Sequence, residues 1–168
     1  MGAMTLHPTA TRIWKHLTPD ERLISAKAFF HEPAPELAAA ALGVIAKVRH
    51  MRPQAARSLA PEAQSRILAS VLDPSEPLAQ GLLVALHLAD RRPLLAAFLD
   101  ALAIPHDNGI LAEEKEAAPP ISPDQARQAI AAVAAFPRTQ VLTYVNTLLL
   151  QDPERWGALE RAEDWLAP

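Results

Sequence analysis

Proline is the residue that most constrains how this chain can fold. The 168 residues include 16 prolines, in a sequence otherwise rich in alanine and leucine. A proline inside a helix removes a backbone hydrogen bond and clashes with the preceding turn, whereas at the first helical position its missing N–H costs nothing. Nine prolines form three runs whose successive members stand 14 to 18 residues apart: Pro19, Pro35 and Pro53; Pro61, Pro77 and Pro93; Pro123, Pro137 and Pro153. Each interval is the length of one helix and a turn, so the spacing predicts a proline at the start of each helix.

Three of these positions carry a common helix-start signature. The three sequences are Thr18-Pro19-Asp20, Ala60-Pro61-Glu62 and Ser122-Pro123-Asp124. A threonine or serine hydroxyl caps the first amides of a helix, and an acid behind the proline favours the positive end of the helix dipole. Glu21 and Gln125 stand three residues after the hydroxyls, which predicts a capping box at each of these two starts.

Between these starts, apolar residues recur with the period of a helix rather than with the alternation of a strand. The stripes are Leu37, Ala41, Val44, Ile45 and Val48; Leu94, Leu95, Phe98, Leu99 and Leu102; and Val141, Val145, Leu148 and Leu149. Residues 82–88 are apolar nearly all round, which predicts a helix buried on most sides. With only five glycines and 5% aromatic residues, the pattern predicts an all-α fold of about eight to ten helices.

An approximate internal repeat suggests how the helices are arranged. Residues 17–58 can be laid over residues 59–100 with Pro19 on Pro61, and a period of about 40 residues is the scale of two-helix repeats such as the HEAT and armadillo types. We therefore expect a single domain over residues 1–168. It is built either from stacked antiparallel helical hairpins, HEAT-like or as a degenerate α-solenoid, or as a compact irregular helical bundle. The predicted hairpin units are 17–58, 59–104 and 122–152.

Residues 105–121 interrupt this regular pattern. They contain a predicted turn at Asp107-Asn108-Gly109, an acidic run and the pair Pro119-Pro120. A connection of this length and polarity is expected to be exposed, and both functional loops and plain linkers have this composition.

The composition and charge of the chain argue against several classes of function. The chain has no cysteine, which excludes disulfides and thiolate chemistry and agrees with a reducing compartment, so we expect a cytoplasmic protein. The net charge of -3, from 16 basic and 19 acidic residues, argues against a general nucleic-acid binder. No apolar run approaches the roughly 20 residues of a membrane-spanning helix, and the start lacks the charged and apolar regions of a secretion signal. We therefore expect neither a membrane protein nor an exported precursor.

No catalytic or cofactor motif is present. The sequence lacks a Gly-x-Ser-x-Gly elbow, a Walker loop and a dinucleotide glycine motif, so no cofactor is predicted and a non-enzymatic role is favoured. His87 stands three residues before Asp90, so both would project from one helical face as a metal or acid–base pair requires. A metal would need further ligands from other helices. The alternative is a buried histidine that hydrogen-bonds to Asp90 or to a backbone carbonyl.

Two groups of side chains are candidates for binding. The basic candidates are Lys47, Arg49, His50, Arg52, Arg57, Arg91 and Arg92. If the two helix ends lie side by side, these cations would line one edge and hold phosphate or an acidic peptide, although cations at helix C-termini also simply complement the dipole. Trp156 and Trp165, near the end of the chain, are candidates for an interface, with capping of the core as the alternative.

Three functional hypotheses follow. The first is a non-enzymatic helical interaction or scaffold module that binds another protein or a second copy of itself as a homodimer. The second is a helical bundle that binds an apolar or amphipathic small molecule in an internal pocket, with His87 and Asp90 as its polar handle. The third is a nucleic-acid accessory protein that uses the arginine edge and binds in a salt-sensitive way.

Overall fold

The computed structural model describes residues 9–112 and 117–161, with only the backbone for Arg161. This part of the chain forms eleven α-helices and one hairpin of two short strands, so the all-α prediction is confirmed. The elements are α1 (Ala10–His16), α2 (Pro19–His31), α3 (Pro35–Val48), α4 (Pro53–Ser58), α5 (Pro61–Ser70), α6 (Glu76–Asp90), α7 (Arg92–Ala101), β1 (His106–Asp107), β2 (Ile110–Leu111), α8 (Pro123–Ala132), α9 (Arg138–Gln151), α10 (Pro153–Trp156) and α11 (Ala158–Arg161). The stacking of hairpins as regular repeats stays a prediction.

The chain divides into two compact units. The first unit, Thr9–Asp90, contains α1 to α6, and the second contains the described residues from Arg91 onward, with α7 to α11 and the hairpin. The boundary between α6 and α7 falls inside the predicted hairpin unit 59–104. None of the helices in the described ranges is both long enough and apolar enough to cross a membrane.

Prolines mark the helix starts as the spacing predicted. The six that occupy the first helical position are Pro19, Pro35, Pro53, Pro61, Pro123 and Pro153. Pro77 and Pro93 occupy the second position, and Pro137 directly precedes α9. Both predicted capping boxes are present, because the hydroxyls of Thr18 and Ser122 accept from backbone amides three residues on, and the side chains there accept in return. Local chemistry therefore sets most helix starts.

In the first unit, α2 lies against α5 and α6, while α3 lies against α4, α5 and α6. Leu82, Leu83 and Leu86 of α6 are fully buried, as the apolar run predicted. The Ser25 hydroxyl on α2 donates to the Leu82 carbonyl, and the Trp14 indole N–H on α1 donates to the Val71 carbonyl over 2.7 Å. Apolar burial and these two hydrogen bonds hold the helices together: the buried bond joins α2 to α6, and the partly buried one joins α1 to the end of α5.

The start of α1 is held by a carboxylate from α6. Glu76 accepts the backbone N–H of Ala10 at 2.6 Å and that of Thr11 at 3.2 Å. It also lies 3.0 Å from the Thr11 hydroxyl, whose proton it shares with the Pro74 carbonyl, likewise at 3.0 Å. The Thr9 hydroxyl accepts the next amide, that of Arg12. The first amides of α1, which have no partner inside the helix, are thus satisfied by one remote and one local side chain.

In the second unit, an aromatic cluster joins α7, α9 and α10. Phe98 is fully buried and makes a T-shaped contact with Tyr144 at 5.2 Å between ring centroids and a tilted contact with Trp156 at 6.0 Å. Burial raises the pKa of the Tyr144 phenol, and the positive charge of Arg155 opposes this only in part. Tyr144 therefore stays neutral and acts as a core aromatic residue.

The predicted turn in residues 105–121 is present and closes a short hairpin. β1 pairs antiparallel with β2, and Asn108 and Gly109 between them have φ of 48° and 88°. At Gly109 a Cβ atom would lie 2.8 Å from the Cβ of Leu95 on α7, so glycine is required both by φ and by the close approach of the hairpin to α7. The Asn-Gly pair is the preferred sequence for such a turn.

The end of α7 offers a stability prediction. Ala103 has a left-handed backbone with φ 53°, and the amides of Ala103 and Ile104 donate to the carbonyls of Asp100 and Leu99, both over 3.0 Å. Glycine adopts this conformation without strain, so Ala103→Gly should stabilise the second unit by about 0.5–1 kcal/mol. Slower hydrogen exchange of the Ile104 amide would measure the gain. Ala97→Gly, in the middle of α7, should have the opposite sign, and destabilisation by both substitutions would contradict the prediction.

Candidate functional site

The candidate site lies at the corner between α3 and α4 in the first unit. The amide of Met51 donates to the carbonyl of Ala46 over 2.9 Å, and the amide of His50 donates to that of Lys47 over 3.4 Å. This pattern ends α3 in a Schellman motif, with His50 in the left-handed position at φ 52°. Met51 lies against the buried cluster of Ile45, Ala46, Ala56 and Ile67. The corner is therefore anchored by Met51, and the polar residues around it face solvent.

Five exposed basic side chains surround this corner, and we call them the basic edge. They are Lys47, Arg49, His50, Arg52 and Arg57. No acidic residue occurs in the sequence between Glu36 and Glu62. Within residues 9–112 and 117–161, none of the five makes an ion pair. Val48, between Lys47 and Arg49 in the sequence, is 45% exposed, so one apolar side chain lies on the surface beside these cations.

The helix dipole accounts for only part of the basic edge. Lys47 lies in the last turn of α3 and Arg57 in the last turn of α4, where cations are favoured. Arg52, in contrast, is the N-cap of α4, and its side chain forms no capping hydrogen bond. A cation at the positive end of a helix gains nothing from the dipole. The helix dipole therefore does not account for the position of Arg52.

The other two predicted basic residues belong to the second unit. Arg91, directly before α7, is 2% exposed, and Arg92 is half-buried. Arg91 therefore offers no exposed cation. The basic edge is accordingly confined to residues 47–57.

The predicted polar handle on α6 has two different environments. His87 is buried, with 3% of its surface exposed, whereas Asp90, the last residue of the helix, is exposed. Among the residues that the structure describes, no group of three or more histidine and acidic side chains could hold a metal ion.

A histidine pairing that sequence reasoning did not find lies in the second unit. The His106 Nε2 atom lies 2.6 Å from the Asp100 Oδ1 atom, and the Gly109 amide donates to Nδ1 over 3.0 Å. Because an amide can only donate, Nδ1 is the acceptor and the ring proton is on Nε2, facing the carboxylate. Both ring nitrogens are engaged, so His106 braces the hairpin against α7. Asp100 and His106 stand six residues apart, which is not a helical spacing, so the helical periodicity of the sequence did not indicate this pair.

Two cavities are relevant to small ligands. An open groove of about 570 Å³ runs between α2 and α5 and carries side chains of both charges, Lys27 and Glu62. A smaller pocket of about 210 Å³ lies in the second unit and is lined by Arg155 among mostly apolar residues. Neither of these two cavities is lined by residues 82–88.

Of the two candidate interface tryptophans, Trp156 lies within the core of the second unit. It is 2% exposed and belongs to the aromatic cluster around Phe98, and the guanidinium of Arg155 lies 4.8 Å from the centre of its ring. Trp165 lies outside the described residues. Trp156 therefore supports the core and the position of Arg155.

Comparisons with known proteins supply no family for this chain. No protein-family model matches it, and no match was found among curated proteins or among solved structures. The chemistry of its own surface is therefore the basis on which a function can be assigned.

Proposed function

We propose that this chain is a non-enzymatic, cytoplasmic interaction module whose basic edge binds an acidic segment of a partner protein. The observation that carries the proposal is the group of exposed cations on residues 47–57 with no ion pair among the described residues. Arginine side chains without an internal partner are available for paired hydrogen bonds to carboxylates. The lack of cysteine agrees with a reducing compartment.

An acidic protein segment suits the basic edge better than a nucleic acid does. Val48 is exposed beside Lys47 and Arg49, and burying it favours a ligand that carries an apolar side chain among its acids. A phosphate backbone supplies no such group. The overall charge of -3 also opposes the general electrostatic attraction on which non-specific nucleic-acid binding depends.

The charge of the basic edge can be tested with a fluorescein-labelled peptide of alternating glutamate and leucine. We expect binding that weakens with added salt, and the double variant Arg49→Glu with Arg52→Glu should bind at least about tenfold more weakly. The measurement is fluorescence anisotropy on the full chain. A labelled single-stranded DNA serves as the competing class of ligand.

A matched control separates the basic edge from net charge. Arg12 and Lys15 are exposed on α1 of the same unit, and Arg12→Glu with Lys15→Glu changes the total charge by the same amount. This control should retain peptide binding. Equal losses in both double variants, or tighter binding of the DNA than of the peptide, would overturn the proposal.

The apolar part of the basic edge gives a separate prediction. Val48→Ser should weaken binding of the glutamate–leucine peptide about fivefold, because less apolar surface is buried, and should leave binding of polyglutamate unchanged. Anisotropy titrations with the two peptides measure the difference. Equal effects on both peptides would show that Val48 makes no direct contact.

A further inference from the structure

A second site lies in the second unit, where three separate segments line the smaller pocket. The chain after α7 and the chain before α8 supply most of the lining, and Arg155 of α10 contributes the charged group. The apolar lining includes Leu102, Ile104, Pro105, Pro119, Pro120 and Ile121. The result is an apolar pocket with one permanently charged side chain.

The backbone of these lining segments leaves few donors for a ligand. The amides of Ala103 and Ile104 are used in the turn that ends α7, and the Ile121 amide donates to the carbonyl of Arg155 over 3.0 Å. The three lining prolines have no N–H at all. Polar recognition in this pocket therefore depends on side chains.

Arg155 and Gln125 are the two polar side chains of the lining. Arg155 is half-buried, and its guanidinium lies over the Trp156 ring, which restricts where the charge can go. The Gln125 Oε1 atom accepts the Ser122 amide over 2.8 Å, so its amide nitrogen remains as the donor. A guanidinium and an amide N–H are both donors and match the two oxygens of a carboxylate.

The volume limits the size of the ligand. About 210 Å³ equals roughly seven water molecules at about 30 Å³ each. The space suits a molecule of about eight non-hydrogen atoms. We propose that the Arg155 pocket binds small monocarboxylates that carry a short apolar chain, of which hexanoate is the test case.

Sodium hexanoate is the probe, added to the ¹⁵N-labelled full chain and followed by two-dimensional NMR. We expect saturable shifts of the Ile104 and Ile121 amides with a Kd of about 1 mM, since so small a ligand has few contacts to make. Acetate lacks the chain and 1-hexanol lacks the charge, so each should bind at least about tenfold more weakly. Shifts that do not saturate, or hexanol binding as tight as hexanoate binding, would overturn the proposal.

Two variants test the pocket in different ways. Arg155→Gln should abolish the preference for hexanoate over hexanol, while Arg127→Gln, an exposed cation on α8, should leave it unchanged. Ala118→Leu fills the pocket without a change of charge and should weaken the binding of both hexanoate and hexanol. This variant still tests the proposal if Arg155→Gln does not fold. Hexanoate binding that survives Ala118→Leu in full would overturn the proposal. Neither result depends on the basic edge, which belongs to the first unit.

Discussion

Replacing Phe98 with alanine should lower the free energy of unfolding of the second unit by about 3–5 kcal/mol. The ring is fully buried and contacts both Tyr144 and Trp156, so the substitution removes apolar burial and leaves a cavity between α7, α9 and α10. The lost edge-to-face contact with Tyr144 adds about 0.5–1.5 kcal/mol beyond the buried area. Substitutions at exposed positions should have much smaller effects, because they leave this core packed.

Hydrogen exchange read by mass spectrometry is the suitable measurement, because a chain with two compact units need not unfold in one step. Peptides from α7 and α9 should lose most of their protection in Phe98→Ala. Phe136 is a matched control, since it is half-buried in the same unit and has no ring contact among the described residues. Phe136→Ala should cost about 1 kcal/mol, and equal effects of the two substitutions would contradict the proposed role of the cluster.

The aromatic cluster also connects stability to the Arg155 pocket. Phe98 does not line the pocket, but it supports Trp156, on whose ring the Arg155 guanidinium lies. A looser Trp156 would let the guanidinium sample more positions and raise the entropic cost of holding a carboxylate. Phe98→Ala should therefore weaken hexanoate binding through Arg155 and leave hexanol binding nearly unchanged.

The helices could be predicted from the sequence because their starts depend on neighbouring residues. Thr18 with Glu21, and Ser122 with Gln125, form capping boxes within three residues, and a proline fits the first helical position for reasons that need no tertiary contact. The αL residues at the helix ends were not predicted. His50 and Ala103 occupy positions where glycine is usual, so the sequence carried no mark of either turn.

The sites depend on contacts that spacing does not encode. The sequence revealed the basic edge because four of its cations lie within six residues. Charge alone could not distinguish them from Arg91, since only the structure shows that Arg91 is buried while the others are exposed. The Arg155 pocket joins residues 102–105 to Arg155 across about fifty residues of chain. Within the sequence, only the pair Pro119-Pro120 marked the lining segment before α8, and such a pair is equally compatible with a linker.

Replacing Glu76 with glutamine should lower the free energy of unfolding of the first unit by about 1.5–3 kcal/mol at neutral pH. The carboxylate accepts three hydrogen bonds from Ala10 and Thr11 at the start of α1. A glutamine keeps the shape but offers one acceptor oxygen, and its amide group would face a donor. The N-terminus of α1 would then lose part of its attachment to α6.

The effect of Glu76→Gln should depend on pH in a defined direction. Partial burial raises the pKa of Glu76, but the hydrogen bonds from the Ala10 and Thr11 amides, the Thr11 hydroxyl and the Gln80 side chain outweigh it and hold the pKa below its ordinary value of 4.5. The folded protein therefore binds this proton less readily than the unfolded chain. The stabilisation is fully present above about pH 4.5 and is lost as the pH falls through the lowered value. The difference between the wild type and Glu76→Gln should shrink over that range.

The indole N–H resonance of Trp14 reports on this unit alone, because it donates to the Val71 carbonyl in the folded state. A urea titration followed by that resonance, at pH 7 and again below pH 4.5, measures the two differences. Glu62→Gln is the control, because Glu62 also lies in the first turn of a helix but pairs with the exposed Arg66. Loss of this exposed ion pair should lower the free energy of unfolding by about 0.5 kcal/mol or less. A Glu76→Gln effect that is as small as this, or that does not change with pH, would mean that the carboxylate does not hold α1 in place.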